Sequence, residues 1–148
     1  MAGGVAVFDY NGDGLPDIFF TNGADVPSLE KKSSKFWNRL YRNDGHLHFT
    51  DVTESAGLTG KGYSMGAAAG DYDNDGHPDL FVAGVKRNIL YHNRGDGTFE
   101  DITAKAWIQD DNWGVAAGWF DYDNDGKLDL LIVHYSDTPL EDRFCGNR

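Results

Sequence analysis

Acidic residues recur at alternate positions in three short stretches. They are Asp9, Asn11, Asp13 and Asp17; Asp71, Asp73, Asp75 and Asp79; and Asp121, Asp123, Asp125 and Asp129. Each stretch follows the pattern Asp-x-(Asp/Asn)-x-Asp-Gly-x-x-Asp. Carboxylates so spaced in a tight loop repel one another strongly unless a cation sits among them. The glycine in sixth place (Gly14, Gly76 or Gly126) permits the sharp turn that points the oxygens inward. Hard oxygen donors with no His or Cys in the set suit Ca2+ rather than zinc or copper, and Mg2+ prefers octahedral sites that keep waters. The seventh residue (Leu15, His77 or Lys127) varies freely, which fits a ligand that offers its backbone carbonyl. The expectation is three Ca2+ sites. Asn11 leaves the first with one negative charge fewer, so that site is expected to be the weakest.

An EF-hand needs a bidentate Glu at position 12 and a helix on each side. Position 12 here is Phe20, Val82 or Ile132, inside an apolar run. The loops are therefore EF-like but lie between strands. Asp, Asn and Gly are also favoured in plain surface turns. Three loops of identical spacing, each between apolar segments, favour the metal reading.

The elements that hold these loops come from an internal repeat. Asp-Tyr-Asp-Asn-Asp-Gly occurs at 71–76 and at 121–126, an offset of 50, with a variant at 9–14. Leu40-Tyr41-Arg42-Asn43 matches Leu90-Tyr91-His92-Asn93 at the same offset. So do Phe49, Asp51, Thr53 and Ala56 with Phe99, Asp101, Thr103 and Ala106. The first acidic loop lies 62 before the second, and the 12 extra residues fall within 21–37. That segment reads as an elongated surface loop.

Each unit reads as four short strands. The first is Val5–Phe8, Ala67–Gly70 or Val115–Phe120, and the acidic loop follows it. The second, Ile18–Thr21, Leu80–Ala83 or Leu130–His134, is a near-continuous apolar run, as expected of a strand covered on both faces. The third is Arg39–Arg42 or Ile89–His92, followed by a hairpin turn. The fourth, His48–Thr53 or Thr98–Thr103, alternates and suits an outer, half-exposed strand. Four antiparallel strands per 50 residues is the size of a β-propeller blade; a solenoid or a sandwich is the competing architecture. The fold class is all-β. About two and a half blades are expected within a single segment, 1–148. These are 1–62 with the insertion, 63–112, and 113–148 as the opening half of a third. A closed ring needs more blades, from a longer chain or from further copies of this one.

The formal net charge is −11, from 24 acids and 13 bases. The three loops hold 11 aspartates, so outside them acids and bases balance. Three Ca2+ ions would bring the charge to −5. The acidity excludes binding nucleic acid by phosphate neutralisation. There is no apolar run long enough for a transmembrane helix. Met1-Ala2-Gly3-Gly4 lacks the basic and apolar regions of a signal peptide. Glycine, 19 of 148 residues, is high while proline is low, which favours short elements joined by tight turns.

Other residues carry weaker signals. His46, His48, His77, His92 and His134 show no metal-ligand pairing and read as surface or satisfied residues. Trp37, Trp107, Trp113 and Trp119 are expected to fill space between blades, the alternative being an aromatic platform for sugars. Arg94-Gly95-Asp96 overlaps a repeated hairpin turn and reads as a chance tripeptide. Cys145 has no partner within the chain. No nucleophile elbow, zinc-protease helix or phosphate loop is present. The main break in the repeat is the insertion at 21–37, and Asp25 and Glu30 there are the only candidates for catalysis, weak ones.

These loops resemble the FG-GAP/VCBS repeat of integrin α-subunit propellers and of many bacterial secreted proteins. The Leu-Tyr-x-Asn…Gly-x-Phe-x-Asp-(Val/Ile)-Thr segments at 40–53 and 90–103 are similar to the bacterial ASPIC/UnbV and cartilage-acidic-protein-like group. The Cys-Gly-Asn-Arg ending at 145–148 also resembles a stretch of that group. The resemblance implies a seven-bladed propeller, calcium between the first two strands of each blade, and an extracellular or periplasmic location. It implies binding, adhesion or scaffolding toward extracellular protein or glycan more than catalysis. The alternative is a propeller enzyme acting on polysaccharide or phosphoester substrates.

Overall fold

The computed structural model describes residues 3–108 and 112–135. Among the described residues, ten strands form three antiparallel sheets. The first holds β1 (Val5–Phe8), β2 (Asp17–Phe20), β3 (Arg39–Asn43) and β4 (Phe49–Asp51), in that order. The second repeats the order with β5 (Tyr63–Gly70), β6 (Asp79–Val85), β7 (Ile89–Asn93) and β8 (Phe99–Asp101). The third pairs β9 (Gly114–Phe120) with β10 (Asp129–His134). The chain is thus all-β, and each four-stranded sheet is a blade in which sequential strands are neighbours. Cys145 and the rest of 136–148 lie outside the described residues. No helix among the described residues is long and apolar enough to cross a membrane.

Register is conserved between blades. Ile18 faces Tyr41 as Leu80 faces Tyr91, and Asn43 faces Phe49 as Asn93 faces Phe99. The acidic loops join β1 to β2, β5 to β6 and β9 to β10, so all three leave the same end of their sheets.

The blades stack face to face, and two apolar clusters hold them. One packs Ala6, Phe8, Phe19 and Leu40 of the first blade against Leu80, Val82, Ile89, Tyr91 and Phe99 of the second. The other packs Phe81, Ala83 and Leu90 of the second blade against Ala117, Trp119, Leu130 and Ile132 of the third. Small residues set the approach of the inner strands. A Cβ on Gly66 would lie 2.6 Å from the Val115 carbonyl oxygen, so β5 and β9 pack backbone to backbone there.

Only one second strand is covered on both faces. Every residue of β6 is buried, whereas Phe20 in β2 is 43% exposed and β10 alternates exposed with half-buried residues. The physical reason is position in the stack. The middle blade has a neighbour on each side, and each outer blade has one. The repeat makes the pattern exact at the level of residues. Val5, Val7, Phe20 and Phe49 are exposed, and they correspond to Ala67, Ala69, Val82 and Phe99, which face the first blade. Leu131 and Val133 are exposed and correspond to the buried Phe81 and Ala83.

The tryptophans divide. Trp119 fills the gap between blades, stacked on Tyr72 at 6.0 Å and donating to the Ala68 carbonyl. Trp113 packs against Tyr135 at the end of the third sheet. Trp107 is 84% exposed, and Trp37 is half-buried and belongs to neither apolar cluster. Trp107 sits in a turn and Trp37 just after the short 3-10 helix, both outside the apolar clusters between blades, so filling space between blades describes only part of the set.

The insertion at 21–37 is less loose than an elongated loop. Its Asp25 and Glu30 form an isolated bridge, and a short 3-10 turn spans Ser34–Phe36. Lys31 turns inward and donates to the carbonyls of Asn22, Gly23 and Phe36 at 2.6–2.9 Å. Burial pulls its pKa down to about 8, while the three carbonyl dipoles favour the protonated form. One ammonium thus ties both ends of the insertion.

Candidate metal loops

The loops fold on their own aspartates. The first aspartate accepts from the backbone N–H groups of the fifth and sixth residues. Asp71 Oδ1 takes Asp75 at 3.0 Å and Oδ2 takes Gly76 at 2.9 Å; Asp121 takes Asp125 and Gly126 at 3.1 and 3.0 Å. Asp9 does the same with Asp13 and Gly14, at 3.2 and 2.7 Å. The fifth-place aspartate then accepts from the seventh-residue N–H of Leu15, His77 or Lys127, each at 2.8 Å. The sixth-place glycines have φ of +83°, +91° and +83°. The fourth position is left-handed too, as Gly12, Asn74 and Asn124, residues that tolerate this region.

The last aspartate anchors the loop to the blade. Asp17 and Asp79 are fully buried. Asp17 accepts from the backbone of Tyr10 at 3.0 Å and of Asn43 at 2.8 Å; Asp79 accepts from Tyr72 at 3.2 Å and Asn93 at 2.8 Å. Burial pushes both carboxyls above the usual range, against the opposing pull of those two N–H groups. Asp129 keeps the bond from Tyr122, at 2.8 Å, but is exposed. The difference has a cause: the described part of the third sheet has no strand in the place of β3 or β7.

In two loops three carboxylates converge. Oxygens of Asp71, Asp73 and Asp79 lie within 4.8 Å of one another, as do those of Asp121, Asp123 and Asp129. In the first loop the third position is Asn11, whose side-chain N–H donates to Asp13 Oδ2 at 2.9 Å. The donors are the hard oxygens a calcium ion takes.

Three residues join this site without having been singled out. Asn43 and Asn93 end the third strands, and besides donating their backbone N–H to the ninth-place aspartate they bond the loop with their side chains. Asn43 donates to the Pro16 carbonyl at 3.1 Å and Asn93 to Pro78 at 3.1 Å. Their sequence signal was an Asn repeated at the same offset as the loops. His92 reads as more than a surface histidine. Its Nδ1 lies 3.1 Å from Asp79 Oδ1 and 3.4 Å from Asp73 Oδ2, and its ring meets Tyr72 edge-on. Nothing in its own sequence context marked it, because Arg42 holds the same place in the first blade. His77 stays peripheral, its ring lying where a Cβ on Gly95 would project.

Of the two weak catalytic candidates, Asp25 is engaged elsewhere. Asp25 pairs with Lys32 at 2.7 Å and accepts from Ser28, and these two hold its carboxyl below the usual range. Arg94-Gly95-Asp96 is likewise bound into its turn, with Arg94 on Glu100 and Asp96 on Thr98.

Stacked four-stranded blades, each with an acidic loop between its first two strands, define a propeller-type repeat protein. The profile of the FG-GAP-like repeat matches residues 9–82 and again 71–132, and the chain belongs to that family. Comparison with curated proteins returned no match.

Proposed function

We propose that this chain is a calcium-stabilised propeller segment that serves as an extracellular binding, adhesion or structural scaffold. The observation that carries the reading is the buried ninth-place aspartate. Asp79 is held fully buried next to Asp71 and Asp73, with the His92 ring 3.1 Å away, and a bound cation offsets the cost of burying its charge. In the second loop Asp71, Asp73, Asp75 and Asp79 would hold the ion with the His77 carbonyl. In the third, Asp121, Asp123, Asp125 and Asp129 would do so with that of Lys127. In the first, Asp9, Asn11, Asp13 and Asp17 would do so with that of Leu15. The ion supplies charge neutralisation and fixes the turn between strands, so binding is coupled to folding. Modest affinity suffices at the millimolar calcium found outside cells.

The Leu-Tyr-x-Asn segments support placing the chain near the ASPIC/UnbV and cartilage-acidic-protein-like group. The exposed outer faces support completion of a ring, of seven blades in that reading, by further blades or further copies. Isothermal titration with Ca2+ and thermal melts in Ca2+ and in EDTA test the proposal. Three equivalents bound and a lower melting temperature in EDTA are expected. An unchanged melt with no heat of binding removes it.

A further inference from the structure

The insertion builds a cleft on the rim of the first blade. The cleft has a volume of about 610 Å3 and is lined by Ser34, Trp37, Arg39, Asp51, Glu54 and Ser55, with Val52 and Thr53 at its floor. That is within the usual range for a small-ligand site. It is not a by-product of the repeat. At the corresponding positions the second blade carries Arg87 for Trp37, Ile89 for Arg39, Ala104 for Glu54 and Lys105 for Ser55. Asp51 and Thr53 have their like in Asp101 and Thr103, and Ile102 stands for Val52.

The indole of Trp37 is presented rather than packed. It is half-buried, outside both apolar clusters, and its backbone is fixed by the side-chain amide of Asn22, which donates to the carbonyls of Lys35 and Trp37. Lys31 braces the same segment through the Phe36 carbonyl. A rigid support thus holds a large aromatic ring at the mouth of a cleft, a place where it contributes little to the core.

Charge narrows what fits. The Arg39 guanidinium is held in place, donating to the carbonyls of Ser34 at 2.7 Å and Asn38 at 3.2 Å, with Nε 3.5 Å from Asp51 and the group 5.8 Å from the centre of the Trp37 ring. It already takes the role a cationic ligand would take. Asp51 and Glu54 repel anions. What remains are carboxylate and hydroxyl acceptors beside an aromatic surface. These suit a neutral polyol with one apolar C–H face. We propose that this cleft binds a neutral oligosaccharide, with a pyranose ring against the exposed part of the Trp37 indole and its hydroxyls donating to Glu54. The inference deepens the scaffold reading by naming a ligand class, and the cleft contains no loop aspartate.

The test is isothermal titration of the full chain, in calcium buffer, with cellohexaose, xylohexaose and mannohexaose. Tetralysine and hexagalacturonate serve as charged probes. At least one neutral hexasaccharide is expected to bind saturably. Trp37→Ala should weaken it about tenfold or more. Ser55→Arg, which fills the cleft from a second side, should do the same, with both variants melting as the parent does. The proposal is overturned if no neutral probe binds, if only a charged probe binds, or if Trp37→Ala binds as tightly as the parent. Melts in EDTA on the same samples separate the two readings. A chain that responds to EDTA but binds no sugar loses the cleft alone. One that binds sugar through Trp37 but ignores EDTA loses the calcium reading alone.

Discussion

Asn93 donates a side-chain N–H to the carbonyl oxygen of Tyr10, 83 positions earlier, at 2.8 Å. Tyr10 belongs to the acidic loop of the first blade and Asn93 to the second. The same amide group bonds Pro78 in its own loop, its carbonyl oxygen accepts from Gly95, and its backbone N–H meets Asp79. One residue therefore joins two loops and two blades. A second link runs from the Asn74 side chain to the Gly126 carbonyl at 3.1 Å, so the second loop is tied to the third.

Replacing Asn93 by Ala leaves several buried polar groups without partners. The expected loss of stability is about 3 kcal/mol. Asn43→Ala, at a half-buried position with a single side-chain donation to Pro16, should cost about 1 kcal/mol. Urea denaturation of both variants checks the ratio, and equal losses would contradict the inter-blade role.

Acidity should separate the metal-free and calcium-loaded chains. Asp17 and Asp79 titrate above the ordinary carboxylate value when folded without metal, because burial outweighs their backbone hydrogen bonds. Unfolded, they titrate near 4, as an approximate reference. The stability these groups lend the metal-free fold is thus present below the unfolded value and is lost as pH rises through the folded one. Calcium requires the ionised form. The gap between melting temperatures in Ca2+ and in EDTA should therefore widen as pH rises from about 4 to 7. A gap independent of pH would argue against these two carboxylates as ligands.

Asn11→Asp gives the first loop the carboxylate set of the other two. Its calcium affinity should rise by about tenfold, since charge count tunes such sites. Titration calorimetry resolving the three sites reads this directly, and the parent's first site should be the weakest of its three.

Leu47 occupies a left-handed conformation, φ +61°, where the second blade has Gly97 at +85°. Its side chain is 93% exposed and contributes no packing. Leu47→Gly should stabilise the chain by about 1 kcal/mol, and Gly97→Leu should destabilise it by a similar amount. Thermal melts of both variants decide it.

Strand positions were legible to within a few residues because the repeat supplies each one twice. Val5–Phe8 matches outright, and the second strands start one residue earlier because the ninth-place aspartate itself enters the ladder. The loop carboxylates were legible as residue types at fixed spacing. The roles of Asn43 and Asn93 were visible as repetition but not as contacts, since a tertiary hydrogen bond leaves no local pattern. His92 and Lys31 left no signal at all. Each owes its place to backbone carried there by other elements. The exposed face of β2 could not be read from Ile-Phe-Phe, because an apolar run records what a strand can bury, not which neighbours are present.

The correspondence between the exposed and buried faces has a consequence for growth of the fold. The bare side of the first blade presents the positions with which the second blade grips the first. The bare side of the third presents those with which the second grips the third. The contact is directional and the same at each step, like one tread of a staircase. A gene encoding such a chain can gain or lose whole treads of about 50 residues by duplication or deletion without new interface chemistry. What limits the number is the turn angle of each step, a property of shape that no individual interface encodes.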